Sequence, residues 1–119
     1  MRTRVLRSLL ALLTVTAVLA VPAASLGGTA RIKATSSHTW NPAYKQVPKG
    51  TRVIWKNPTS TKHTVTAYGA GWSKDVVLKP GTRTSKVFRH KGPFYYRCRI
   101  HSSLDGDVCS GMCGHVHVT

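Results

Sequence analysis

Pro48-Lys-Gly-Thr-Arg-Val-Ile-Trp-Lys-Asn-Pro58 sets a turn, a strand and a second turn in immediate succession. Pro48-Lys-Gly50 is a turn signal. Thr51-Arg-Val-Ile-Trp-Lys56 is rich in the β-branched and aromatic residues that pack on a pleated surface, and Asn57-Pro58 ends the run. The same pattern extends in both directions. Upstream, Ala30 to Thr35 alternates apolar and polar residues, Asn41-Pro42 interrupts, and Tyr44 to Val47 alternates again. Downstream, His63-Thr-Val-Thr-Ala-Tyr68 is a further strand, followed by an irregular stretch from Gly69 to Val77 and a turn at Lys79-Pro-Gly81. Thr82 to Arg89 alternates, Gly92-Pro93 precedes Phe94-Tyr-Tyr-Arg-Cys98, and Gly114-His-Val-His-Val118 is the last strand. About seven short strands with no helical period predict an all-β, antiparallel sandwich rather than an α/β fold. With no linker and no internal repeat, one domain is expected.

The chain has 119 residues, and its start reads differently from the rest. Arg2, Arg4 and Arg7 precede an uncharged run from Ser8 to Val21, and a small-residue stretch follows from Pro22 to Gly28. A basic head, a short apolar middle and a small-residue exit predict a secretory signal peptide over 1–27, with cleavage between Ala23 and Gly28. The alternative, a membrane anchor, would need an apolar run nearer to about 20 residues. The folded domain is then expected over 28–119, in the periplasm, at the cell surface or outside the cell.

The formal charge is +15, with 18 lysines and arginines against Asp75, Asp105 and Asp107. Removing the three arginines of the leader leaves +12. So basic a surface favours partners with acidic docking surfaces, or association with anionic membranes or wall polymers. Nucleic acid is not expected as a partner: the chain is read as exported and carries no helix-turn-helix pattern, zinc-finger spacing or RNA-binding aromatic motif.

Three cysteines is an odd number for an exported chain. Cys109 and Cys113 lie close together near the end, and Cys98 stands apart. Around Cys98 three other residues complete a set. His63 opens a strand, His101 follows Cys98 by three positions, and Met112 lies near the start of the final strand. Two imidazoles, a thiolate and a weak axial thioether are the donors of a type 1 (blue) copper site. Thiolate and thioether favour the reduced ion, and imidazole accepts both oxidation states.

These residues carry a resemblance. Val53-Ile-Trp55-Lys-Asn57 with His63-Thr-Val65, Tyr95-Tyr96-Arg-Cys98-Arg-Ile-His101 and Gly111-Met112-Cys-Gly114-His-Val resemble the cupredoxins of the plastocyanin, pseudoazurin and amicyanin group. The likeness covers roughly Trp40 to Val118. It implies a Greek-key sandwich with one copper ion at one end, held by His63, Cys98, His101 and axial Met112. The ring edge of His101 would be the electron port. It also implies an electron carrier rather than an enzyme, exchanging single electrons with extracytoplasmic redox partners. A copper-handling protein that delivers or sequesters the metal is the alternative, although the chain lacks the thioether-rich tracts common in such proteins.

The sequence departs from the family pattern in three places. The segment between His101 and Met112 is long, and its Leu104 and Val108 put the usual apolar docking patch in doubt. Cys109 and Cys113 bracket Met112, and a disulfide between them would stiffen the axial segment. Thr64 stands where many relatives have asparagine, and its hydroxyl would have to supply the equivalent hydrogen bond. Two further readings stay open. Cys98, His101, Cys109, Cys113, His115 and His117 could be assembled into a structural zinc site. His115 and His117, two apart on one face of a strand, could hold a second ion weakly or simply be solvated. Trp40, Trp55 and Trp72 are expected to be core or rim aromatics.

Overall fold

A computed structural model describes residues 13–17 and 27–119, so most of the expected leader, 1–27, lies outside the described residues. Nine strands form the domain: β1 Thr29–Ala34, β2 Trp40–Asn41, β3 Tyr44–Val47, β4 Thr51–Lys56, β5 His63–Tyr68, β6 Asp75–Leu78, β7 Arg83–Phe88, β8 Gly92–Asp105 and β9 Val108–Val118. Among the described residues there is no helix. The strands build two sheets, one ordered β2-β1-β4-β7 and the other β3-β9-β8-β5-β6.

Alternation decides which side chains go inside. β1 buries Ala30, Ile32 and Ala34, and β4 buries Thr51, Val53 and Trp55, each strand exposing the charged residues between. The second sheet contributes Val65, Leu78, Phe94, Tyr96, Val116 and Val118 to the same core. Trp55 sits at its centre, edge-on to Tyr96 with ring centroids 5.2 Å apart and packed near Trp72 and Phe88. Trp40 also packs on Tyr96, at 5.5 Å. Trp40 and Trp55 are therefore core residues and Trp72 is a rim residue. Each such side chain removed from water contributes about 1.5–3 kcal/mol, and the aromatic block ties one sheet to the other.

The sandwich stands as the sequence predicts, but two strand pairs are parallel. β1 runs parallel to β4, and β3 runs parallel to β9. The chain leaves the first sheet after β2, crosses at Asn41-Pro42, whose peptide bond is cis, lays down β3 in the second sheet, and returns as β4. That excursion makes the parallel pairing of β1 with β4 possible, because parallel neighbours need a crossover. Apolar–polar alternation is the same for either direction, so the sequence pattern could not show it.

The segment between His101 and Met112 is also more ordered than a loop. It is the outer part of a β8–β9 hairpin in which Ser102 pairs with Gly111, Ser103 with Ser110, Leu104 with Cys109 and Asp105 with Val108. Gly106, with φ of 57°, turns the chain at the tip. The two-residue loop is Gly106-Asp107, with glycine at its first position as a tight hairpin turn prefers.

Candidate metal centre

The β8–β9 ladder is regular up to Arg97 opposite Cys113 and resumes at Ser102 opposite Gly111. Between those points, residues 98–101 on β8 face Met112 alone on β9. This bulge lifts Cys98 and His101 out of the ladder and turns them toward the end of the sandwich, where β5 begins with His63. Ser102 closes the bulge by donating its hydroxyl to the Cys98 carbonyl, and Arg97 donates to the Ser102 hydroxyl at 3.2 Å.

The structure brings three of the four sequence-predicted residues into one cluster. His63 Nδ1 and His101 Nδ1 are 3.2 Å apart, Cys98 Sγ is 3.4 Å from His101 Nδ1, and Cys98 Sγ is 3.8 Å from His63 Nδ1. His63 and Cys98 are fully buried, and His101 is partly exposed. Met112 is fully buried and lies across the ladder from the bulge that carries Cys98 and His101.

Whether these atoms suit a metal ion can be tested on their spacing. Donors at about 2.0–2.3 Å from an ion, spread at trigonal angles, stand about 3.5–3.8 Å from one another. The observed triangle, with sides of 3.2, 3.4 and 3.8 Å, is close to that size and slightly contracted on two sides, and the His–Cys–His group is the one cluster of its kind among the described residues.

Hydrogen bonds fix which nitrogen of His63 faces the cluster. Thr59 donates its single hydroxyl hydrogen to Asn57 Oδ1 at 2.6 Å. Toward His63 Nε2, 3.1 Å away, the same hydroxyl must then accept. His63 therefore carries its proton on Nε2 and presents a bare Nδ1 lone pair to Cys98 and His101. Asn57, fully buried, anchors Thr59 and also donates to the carbonyls of Thr61 and Leu78. Burial, then His101 and His38, hold the His63 imidazole below its usual protonation range. Burial, then His38, do the same for His101. Both rings thus favour the neutral form that binds metals.

Thr64 braces the sulfur. Its backbone N–H points at Cys98 Sγ at 3.3 Å, and its hydroxyl accepts from the Arg99 N–H at 2.8 Å. The hydroxyl continues to Thr66 at 3.0 Å, and Thr66 donates to Asp75 at 2.8 Å. Arg99, the residue after Cys98, closes the circuit with an ion pair to Asp75 at 2.9 Å. The Thr64 hydroxyl thus makes a bracing hydrogen bond to the residue that follows Cys98.

Cys109 and Cys113 are joined in a disulfide, and Cys98 is the free cysteine. Four residues of straight strand would span about 13 Å, yet the two Cα atoms are 6.2 Å apart, so β9 folds sharply at Ser110-Gly111-Met112. Gly111 is required there. Its φ is 97°, and a Cβ would run into the His101 carbonyl. With both cysteines bonded to each other, the zinc assembly loses two of its donors. His115 stacks on Tyr95 at 4.6 Å and sits 5.9 Å from His117, on the flank of the second sheet.

Sequence reasoning missed His38. Its ring lies parallel on His101, centroids 3.8 Å apart at 15°, on an exposed turn where His38 adopts a positive φ of 57°. Nothing in Thr35-Ser-Ser-His-Thr39 signals this contact. Thr59 and Gly111 were missed too, since both act through a ligand rather than as one.

The described fold is shared with known structures. A purple cupredoxin from Nitrosopumilus maritimus superposes with a TM-score of 0.61 at 22% identity, over 76% of this chain and 99% of that one. An amicyanin variant in its reduced state gives 0.61 at 22% identity, over 76% and 82%. A copper-containing nitrite reductase from Thermus scotoductus gives 0.61 at 19%, over 76% of this chain and only 22% of that enzyme. No protein-family model matches the sequence, and no curated protein matches it. The described strands share the all-β sandwich fold of these cupredoxin structures, and this chain's own His–Cys–His cluster lies where β5 begins and β8 bulges.

Proposed function

We propose that this protein binds one copper ion in a type 1 site and carries single electrons between extracytoplasmic redox partners. The observation that carries the reading is the convergence of His63 Nδ1, Cys98 Sγ and His101 Nδ1 at 3.2–3.8 Å, with Met112 buried opposite. A copper ion in such a donor set cycles between two oxidation states one electron apart. The chain's own contribution is to hold the donors still. Thr59 fixes the His63 tautomer, the Thr64 amide steadies the thiolate, and Gly111 allows the Met112 segment to close against His101. His63 and Cys98 are sealed from water, whereas His101 reaches the surface beneath His38, making it the exit for the electron.

On this reading the protein is not an enzyme, because four protein donors leave no position open for a substrate. The nitrite reductase shares the fold only over a fraction of its length. Export through residues 1–27 and acidic docking surfaces on the partners belong to the same proposal, the latter complementing the chain's basic charge.

Protein-film voltammetry tests the assignment. The copper-loaded chain is expected to give one reversible one-electron wave per molecule, lost in Cys98→Ser. Absence of a wave, with the metal passing to a competing chelator within seconds, would contradict the carrier and favour a copper-handling protein.

A further inference from the structure

The outer face of the first sheet is a second feature of this molecule, remote in kind from the metal cluster. Inward-facing Ala30, Ile32, Val53, Trp55 and Phe88 fix which residues point out. Those are Arg31 and Lys33 on β1, Arg52, Ile54 and Lys56 on β4, and Arg83, Ser85 and Val87 on β7. All five of the cations are exposed. The register lines three of them up directly, Lys33 beside Lys56 and Lys56 beside Arg83, with Arg52 and Arg31 further along the same face.

Like charges directly opposite one another on a sheet destabilise it, and nothing on this face relieves them. The three acidic residues all belong to the other sheet and its hairpin: Asp75 on β6, Asp105 at the end of β8 and Asp107 in the turn. Asp75 is already paired with Arg99. A row of uncompensated cations held in register by a rigid sheet is suited to an anion supplied from outside.

The chemistry of that anion follows from what the face lacks. Protein interfaces have an apolar core inside a polar rim. Here the exposed large apolar residues of the domain, Tyr44, Val77, Tyr95, Ile100, Leu104 and Val108, all lie on the second sheet and its hairpin. On the basic face, Ile54 and Val87 are half-buried between the cations. The face is broad, charged and without an apolar anchor, which fits a layer of phosphate headgroups better than a protein partner. We propose that the β1–β4–β7 face docks this protein on an anionic phospholipid bilayer. Docked in this way, the protein would keep its apolar hairpin, and the partly exposed His101, free of the lipid.

Co-sedimentation with vesicles tests this. The probe is a mixture of phosphatidylcholine and phosphatidylglycerol, with phosphatidylcholine alone as the reference, using the processed chain at low ionic strength. Binding is expected to the anionic vesicles only, and to weaken steeply with salt. The triple variant Lys33→Gln, Lys56→Gln, Arg83→Gln is expected to lower partitioning on the order of a hundredfold, and Lys56→Gln alone about fivefold. A control that removes the same charge from exposed connections outside this face, Lys49→Gln, Lys79→Gln, Lys91→Gln, is expected to cost far less. Equal loss in the two triple variants, equal binding to uncharged vesicles, or no binding at all would overturn the proposal. The readout needs no metal, so it succeeds or fails separately from the copper assignment.

Discussion

Thr59 and Thr64 hold the two partners of one metal-binding pair, the first through the imidazole of His63 and the second through the sulfur of Cys98. Because Thr59 acts only by directing the His63 lone pair, Thr59→Val is expected to fold normally and to weaken metal affinity about tenfold. Competition with a chromophoric chelator measures this directly. Protons compete for the same nitrogens. His63 and His101 have folded-state affinities for protons below the unfolded value, chiefly through burial. His115 is lowered too, by burial and then by His117. For such groups the unfolded chain binds more protons, so stability is fully present above the unfolded pKa of about 6.5 and is lost as pH falls toward the depressed folded values. The metal-free chain is therefore expected to melt at lower temperature at pH 5 than at pH 7.5, as thermal unfolding followed by circular dichroism would show. A flat profile across that range would mean that these rings are not held neutral.

The β8–β9 hairpin is the element that makes the site, since its bulge carries Cys98 and His101 and its other arm carries Met112. Gly111→Ala forces a Cβ into the His101 carbonyl at a positive φ. Strain of this kind costs about 1–3 kcal/mol, and relief requires moving the His101 backbone. The variant is expected to lose both stability in urea and metal affinity, whereas Gly106→Ala at the tip, where a Cβ meets nothing, should leave affinity intact. The disulfide closes only a short ring, a sequence separation of four. Its entropic contribution is correspondingly small, about 2 kcal/mol. Cys109→Ser with Cys113→Ser is therefore expected to lower the urea midpoint modestly while leaving copper–thiolate chemistry in place, because Cys98 is the free sulfur. Loss of that chemistry in the double variant would assign the wrong cysteine to the metal.

At the scale of the whole molecule, what was legible in the sequence was what local chemistry writes there. The alternation in Thr51–Lys56 fixes an inside and an outside, and Trp55 lies on the inside that it implies. The set His63, Cys98, His101 and Met112 is legible because an odd cysteine in a chain whose start reads as an export signal demands an explanation. Strand direction was not legible, since parallel β1–β4 and antiparallel β4–β7 ask for the same residues. Nor was the stacking of His38 on His101, which depends on a turn and the β8 bulge meeting in space across 63 positions of sequence. The uneven placement of charge emerges only when strands are ordered into sheets: five cations on one face, the three acids on the other sheet and its hairpin turn.

All of these scales meet in a single claim, that Cys98 is a copper ligand. Its most direct test is the visible absorption spectrum of the chain with one equivalent of Cu(II), beside Cys98→Ser. An intense charge-transfer band in the wild type, absent from the variant, is the predicted result. A colourless complex, or a band that survives the loss of Cys98, would contradict it.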